Sequence, residues 1–121
     1  MKDFVPHQES LELKELGFDE PCICVYSDKN IHRVQQGDNT VLFKTVINSR
    51  LPDKFCSAPT FSQAFRFFRE KYNLHHFIQF DGKEYLAYTH NYYLTTKYKF
   101  QTYEEAELAC IKKLIEIVKT K

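Results

Sequence analysis

The stretch Thr102-Tyr103-Glu104-Glu105-Ala106-Glu107-Leu108-Ala109-Cys110-Ile111-Lys112-Lys113-Leu114-Ile115-Glu116-Ile117-Val118-Lys119 decides the reading of the fold. Thr102 with Glu105 three residues later is a capping box, in which each side chain satisfies the other's free backbone N–H. Ala106, Cys110, Leu114 and Ile117 then form one apolar stripe, and Leu108, Ile111, Ile115 and Val118 form its neighbour. So wide an apolar face predicts a helix lying across a sheet. Its acids come early and its lysines late, matching the helix dipole.

The sheet it needs is legible upstream. Phe77-Ile78-Gln79-Phe80 and Glu84-Tyr85-Leu86-Ala87-Tyr88 are strand-forming runs on either side of Asp81-Gly82. Asp-Gly between such runs signals a hairpin, because a tight turn needs positive φ. His90-Asn91 turns the chain again into a third strand, Tyr93 to Phe100. Ahead of the hairpin, Thr60-Phe61-Ser62-Gln63 is a second capping box. It opens a helix in which Ala64, Phe65, Phe68 and Tyr72 recur at helical spacing and which Asn73 can end.

The first half reads less sharply. Pro6 to Leu16 is a short helix, with Pro6 in its first turn, Gly17 just past its end and Phe18 folding back on Leu13. Cys22 to Tyr26 is a strand ending in the turn cluster Ser27-Asp28-Lys29-Asn30, and Ile31 to Gln36 is a weaker returning strand. After the turn signal Gln36 to Asn39, the β-branched run Thr40 to Ile47 is the best strand of this half. Asn48 to Pro59 reads as irregular, with Pro52 and Pro59 as breakers.

Thr60-Phe61-x-Gln63-Ala64 and Thr102-Tyr103-x-Glu105-Ala106 share one pattern, and strands precede each. A duplicated strand-strand-helix unit would explain the echo; so would the commonness of capping boxes as helix starts. The expected fold is therefore α+β: an antiparallel sheet packed against two capped helices, with a short N-terminal helix. A chain of 121 residues fits one domain, 1–121.

Composition narrows the function classes. Eleven Phe and eight Tyr, with no Trp and one Met, put rings where Leu and Met usually fill a core. A net charge of +1 lacks the basic excess of a dedicated nucleic-acid binder. The first residues hold no apolar run resembling a signal-peptide core, and no stretch of about 18 apolar residues predicts a membrane span. A cytoplasmic location is expected, with Cys22, Cys24, Cys56 and Cys110 as reduced thiols.

No motif identifies a reaction. Cys22-x-Cys24 and His75-His76 lack the spacing and the matching second half of a structural zinc site. A cysteine nucleophile needs an oriented histidine, and no local signature supplies one; adjacent His75 and His76 on a strand would point to opposite faces. Gly17, Gly37 and Gly82 are each explained by a turn or cap, so no glycine-rich phosphate loop is expected. Neither a catalytic residue nor a cofactor or metal is predicted. The one candidate surface joins Arg66, Arg69 and Lys71 on the second helix with Tyr92, Tyr93, Lys97 and Lys99 near the third strand. Rings interleaved with cations suit nucleic acid, although alternation of Lys97 and Lys99 with Tyr98 and Phe100 also marks a half-buried strand with a wet face.

Several stretches together, Leu13-Lys14-Glu15-Leu16-Gly17-Phe18-Asp19-Glu20-Pro21-Cys22, Ala58-Pro59-Thr60-Phe61-x-Gln63-Ala64-Phe65-Arg66, Phe68-Arg69-Glu70-Lys71-Tyr72 and Thr102 to Cys110, resemble a set of small uncharacterised proteins of phages and prophages of Bacteroides-type gut bacteria. The resemblance implies a phage or mobile-element accessory protein in a bacterial cell, and no activity, cofactor or site. The leading expectation is a non-catalytic interaction module that binds a host or phage protein. The alternative is nucleic-acid binding through the basic and aromatic residues above. A homodimer is open, through the unpaired edge of a small sheet.

Overall fold

The computed structural model describes residues 3–34, 45–89 and 98–120. Its contacts divide the chain after Gln63 into two compact units. Among the described residues, no helix is long and apolar enough to cross a membrane.

In the first unit, α1 (His7–Glu15) follows Pro6 and ends where the sequence places its stop. Gly17 has φ 95°. Its N–H donates to the Lys14 carbonyl (3.0 Å), and the Phe18 N–H donates to the Leu13 carbonyl (2.9 Å). This pair of bonds is the Schellman closure, and the accompanying apolar contact joins Leu13 and Phe18, both buried. β1 (Cys24–Ser27) and β2 (Asn30–Arg33) form a hairpin in which Ser27 faces Asn30 across Asp28-Lys29, with Asp28 at φ 59°.

The segment read as irregular contains structure. A single 3-10 turn, Asn48–Arg50, precedes β3 (Phe55–Ser57), which pairs antiparallel with the other side of β1. Three residues are too few to show strand alternation, and the flanking Pro52 and Pro59 hide them further. The buried Asn48 amide supports the pairing: its Nδ2 donates to the Phe18 carbonyl and its Oδ1 accepts from the Ser57 N–H, both at 2.8 Å. Of the expected strand 40–47, residues 40–44 lie outside the described residues, and Val46 exchanges two bonds with Cys22 at 2.9 Å each. Cys24, Tyr26, Cys56 and Ala58 form the core under α1, flanked by Phe4, Leu11, Ile23 and Ile31.

The division falls within α2 (Phe61–Tyr72). Its capping box is reciprocal: the Thr60 N–H donates to Gln63 Oε1 (3.0 Å) and the Gln63 N–H to Thr60 Oγ1 (3.2 Å). Asn73, at φ 55°, ends the helix, and the Leu74 N–H closes on the Phe68 carbonyl at 3.1 Å. In the second unit β4 (His76–Phe80), β5 (Tyr85–Thr89) and β6 (Tyr98–Phe100) form an antiparallel meander. Residues 81–84 join β4 to β5, and the Asp81 N–H donates to the Glu84 carbonyl at 3.0 Å, so that Gly82, at φ 97°, and Lys83 form the turn itself. Asp81 folds it, its carboxylate accepting the N–H groups of Lys83 (2.9 Å) and Glu84 (2.7 Å). α3 (Tyr103–Lys119) is capped by Thr102, whose Oγ1 accepts from the Glu105 N–H, and lies across all three strands. Ala106, Cys110, Leu114 and Ile117 are all buried, as the stripe predicts.

The class is α+β with antiparallel pairing and two capped helices, and its described strands are shared between two three-stranded sheets. β1 and β5 are the middle strands, and each has both edges filled by its own neighbours. The strand orders differ, β2-β1-β3 and β4-β5-β6. The Thr-aromatic echo thus marks two helix starts set behind differently ordered strands.

Candidate functional site

The four thiols and the His76 imidazole are held uncharged. Burial pushes the Cys22 thiol up to about 11, with the Ser57 hydroxyl and Gln63 amide drawing slightly the other way. Burial likewise takes Cys56 to about 11 and Cys110 to about 12, and raises Cys24. A thiol so placed is protonated at neutral pH and is a poor nucleophile. Among the described residues no three His, Cys, Asp or Glu side chains gather closely enough to hold a metal ion.

His75 and His76 take unlike positions. His75 precedes β4 and meets the Asn73 amide oxygen at 3.3 Å. His76 begins the strand, and its ring lies flat on Phe65, centroids 3.4 Å apart and planes within 10°. Burial, with Arg69 and His75 adding to it, lowers its pKa to about 4. The imidazole is therefore neutral, and it is a packed aromatic.

The sequence-predicted surface is only partly brought together. Arg66 and Arg69 stand exposed three residues apart on one side of α2. Lys71 lies over two rings of its own helix, its Nζ 5.4 Å from the Phe67 centroid and 5.5 Å from that of Tyr72. Lys99 is exposed on β6, two strands across from β4, against which α2 sets Phe65. Tyr92, Tyr93 and Lys97 lie outside the described residues.

A different set of rings is presented to water. The register pairs Phe77 with Tyr88 and Phe80 with Tyr85. Tyr85 faces α3, where it meets Tyr103 edge-on at 5.8 Å. Side chains alternate along a strand, so Phe77, Gln79, Leu86, Tyr88 and Lys99 occupy the face opposite α3. There Phe77 is stacked on Tyr88, centroids 4.5 Å apart and planes within 12°, yet is 56% exposed. Phe80, 55% exposed at the end of β4, rests on Tyr85 at 4.9 Å. The sequence reading did not single these rings out, because an aromatic in a strand looks like core until the register assigns its face. Charge is biased the same way: residues 64–121 hold ten Lys and Arg against seven Asp and Glu, and seven of the eight tyrosines.

One further concavity, of about 240 Å³, lies between β6 and α3 and is lined by Phe100, Ala109, Lys112, Lys113 and Glu116. Lys113 and Glu116 pair across its rim at 3.3 Å. No family model, curated protein or solved structure matches the chain.

Proposed function

We propose that the chain is a non-catalytic interaction module, acting in the cytoplasm of a bacterial cell as a phage or mobile-element accessory protein. It binds another protein through the face of β4 and β5 that carries Phe77 and Tyr88. The observation that carries this reading is the exposure of the stacked Phe77–Tyr88 pair, with Phe80 exposed along the same strand. Rings left in water beside one another mark contact surfaces, because aromatic side chains contribute most per residue when an interface excludes water. The protonated thiols and the neutral, packed His76 support a binding role over a reactive one.

The test is capture from host lysate by the tagged chain, treated with nuclease, beside Phe77→Ala and Tyr88→Ala variants and an Arg33→Ala control. A protein retained by the native chain and the control but lost by both aromatic variants is the expected result. Retention by all four chains overturns the assignment of the surface.

Lys99 on the same face and the basic excess of residues 64–121 favour a second reading, single-stranded nucleic acid stacked on these rings. That reading requires binding that weakens steeply with salt and is lost by Lys99→Glu. Salt-insensitive capture that survives nuclease excludes it.

A further inference from the structure

β4 differs from every other described edge of the two sheets. β2 carries an exposed His32 and Arg33; β3 is three residues long; β6 is three residues long and bears Lys99. Charge and brevity keep an edge from pairing with another chain. β4 has neither protection. It runs five residues, His76-Phe77-Ile78-Gln79-Phe80, without Asp, Glu, Lys, Arg or Pro, and among the described residues it pairs with β5 alone. It also carries the two most exposed large apolar side chains among the described residues, Phe77 and Phe80.

The ladder shows which backbone groups the open edge offers. The Asp81 N–H donates to the Glu84 carbonyl at 3.0 Å, in the register that pairs Phe80 with Tyr85. Hydrogen-bonded and non-hydrogen-bonded pairs alternate along an antiparallel ladder. Phe77 and Gln79 therefore turn their N–H and C=O groups toward β5, while His76, Ile78 and Phe80 turn theirs outward.

The geometry points to a second copy of this chain as the occupant of that edge, with β4 pairing antiparallel with β4 about a twofold axis at Ile78. A strand can pair with itself about a residue whose N–H and C=O both point outward when further outward groups lie equally spaced on either side, which is the arrangement of 76, 78 and 80. Ile78 exchanges both bonds with Ile78 of the second copy, and His76 exchanges both with Phe80. The twofold sets each Phe80 ring beside a His76 imidazole and each Phe77 beside Gln79, so no like charges face one another. Neutrality and symmetry of this kind serve an identical strand, whereas a foreign strand needs neither. The three-stranded sheets of two copies become one continuous sheet, with a Phe77–Tyr88 pair on each side of the axis.

The experiment is sedimentation velocity on the intact chain from low to high micromolar concentration. A mass rising from 14.5 kDa toward twice that value is expected. Ile78→Lys and Ile78→Glu, checked for folding by circular dichroism, should each be monomeric, and an equimolar mixture of the two should recover the dimer. A native chain that stays monomeric throughout, or a dimer that survives both substitutions, overturns the proposal. Where the substituted chains do not fold, amide exchange on the native chain decides. The 76, 78 and 80 amides should slow as concentration rises; exchange at the open-chain rate at all three overturns it. The dimer stands independently of the partner proposed above, since lost capture by Phe77→Ala leaves the 78-centred pairing intact.

Discussion

Phe77 lies flat against Tyr88 across the β4–β5 ladder, at a centroid separation of 4.5 Å, while more than half of its surface stays in water. An aromatic pair of this kind couples by about 0.5–1.5 kcal/mol beyond its buried area. Phe77→Ala should accordingly lower stability by only about 1 kcal/mol, and a double-mutant cycle with Tyr88→Ala in urea denaturation should return a coupling within that range. A loss above about 3 kcal/mol would instead mean that Phe77 is a core residue.

Stability should fall on mild acidification because of His76. Its pKa lies near 4 in the folded chain against an ordinary value of 6.5, so between those values the unfolded chain binds the extra proton. Stability is then complete above about pH 6.5 and is lost as pH drops toward 4. The effect is on the order of 2 kcal/mol, below what the whole shift would give, because the imidazole keeps some water contact. His76→Phe preserves the stack on Phe65 and should flatten this part of the pH profile in chemical denaturation. An unchanged slope in the variant would exclude His76 as its source.

The cysteines should resist alkylation while the chain is folded. At pH 8, Cys22, Cys56 and Cys110 lie three or more units below their raised pKa values, so iodoacetamide meets almost no thiolate and little access. Mass spectrometry should find these three unmodified in native buffer and fully modified in urea. Rapid native labelling at Cys110 would contradict its place on the buried face of α3.

The two capping boxes should respond differently to the same chemistry. Thr60→Ala and Thr102→Ala should each cost about 1 kcal/mol. Gln63 has a second duty, because its Nε2 donates to the Pro21 carbonyl at 2.8 Å. Gln63→Glu keeps the cap but removes that donor and sets a carboxylate against the carbonyl. It should therefore destabilise by about 1–2 kcal/mol, although Glu occupies the matching position 105. Thermal unfolding of the three variants checks the order.

The helices were legible because their ends are written in local chemistry: a Thr with Gln or Glu three residues on, a Gly17 or Asn73 at positive φ, a Phe18 returning to Leu13. Each depends on residues at most six apart. Strand partnership depends on distant residues, so β3 stayed hidden between Pro52 and Pro59, and the sharing of strands between two sheets was not readable from Cys24 or Tyr85 alone. Of the candidate site, Arg66, Arg69, Lys71 and Lys99 were legible as charges on exposed positions. Phe77 and Phe80 were not legible, since only the 76–89 register tells a solvent-facing ring from a core one.

Asn48 has a consequence for where this chain can accept change. One buried side chain ties Phe18, thirty residues back, to Ser57, nine residues ahead, using both ends of its amide. The position of β3 is then set at its anchor points, and the identity of exposed residues such as Asp53 and Lys54 matters little to it. Side-chain exchanges at Asp53 and Lys54 should therefore leave β3 in register, whereas an insertion after Asp53 would part the Pro52 and Phe55 carbonyls that both accept from Lys14 Nζ, at 2.9 and 2.7 Å, and would loosen the start of the strand.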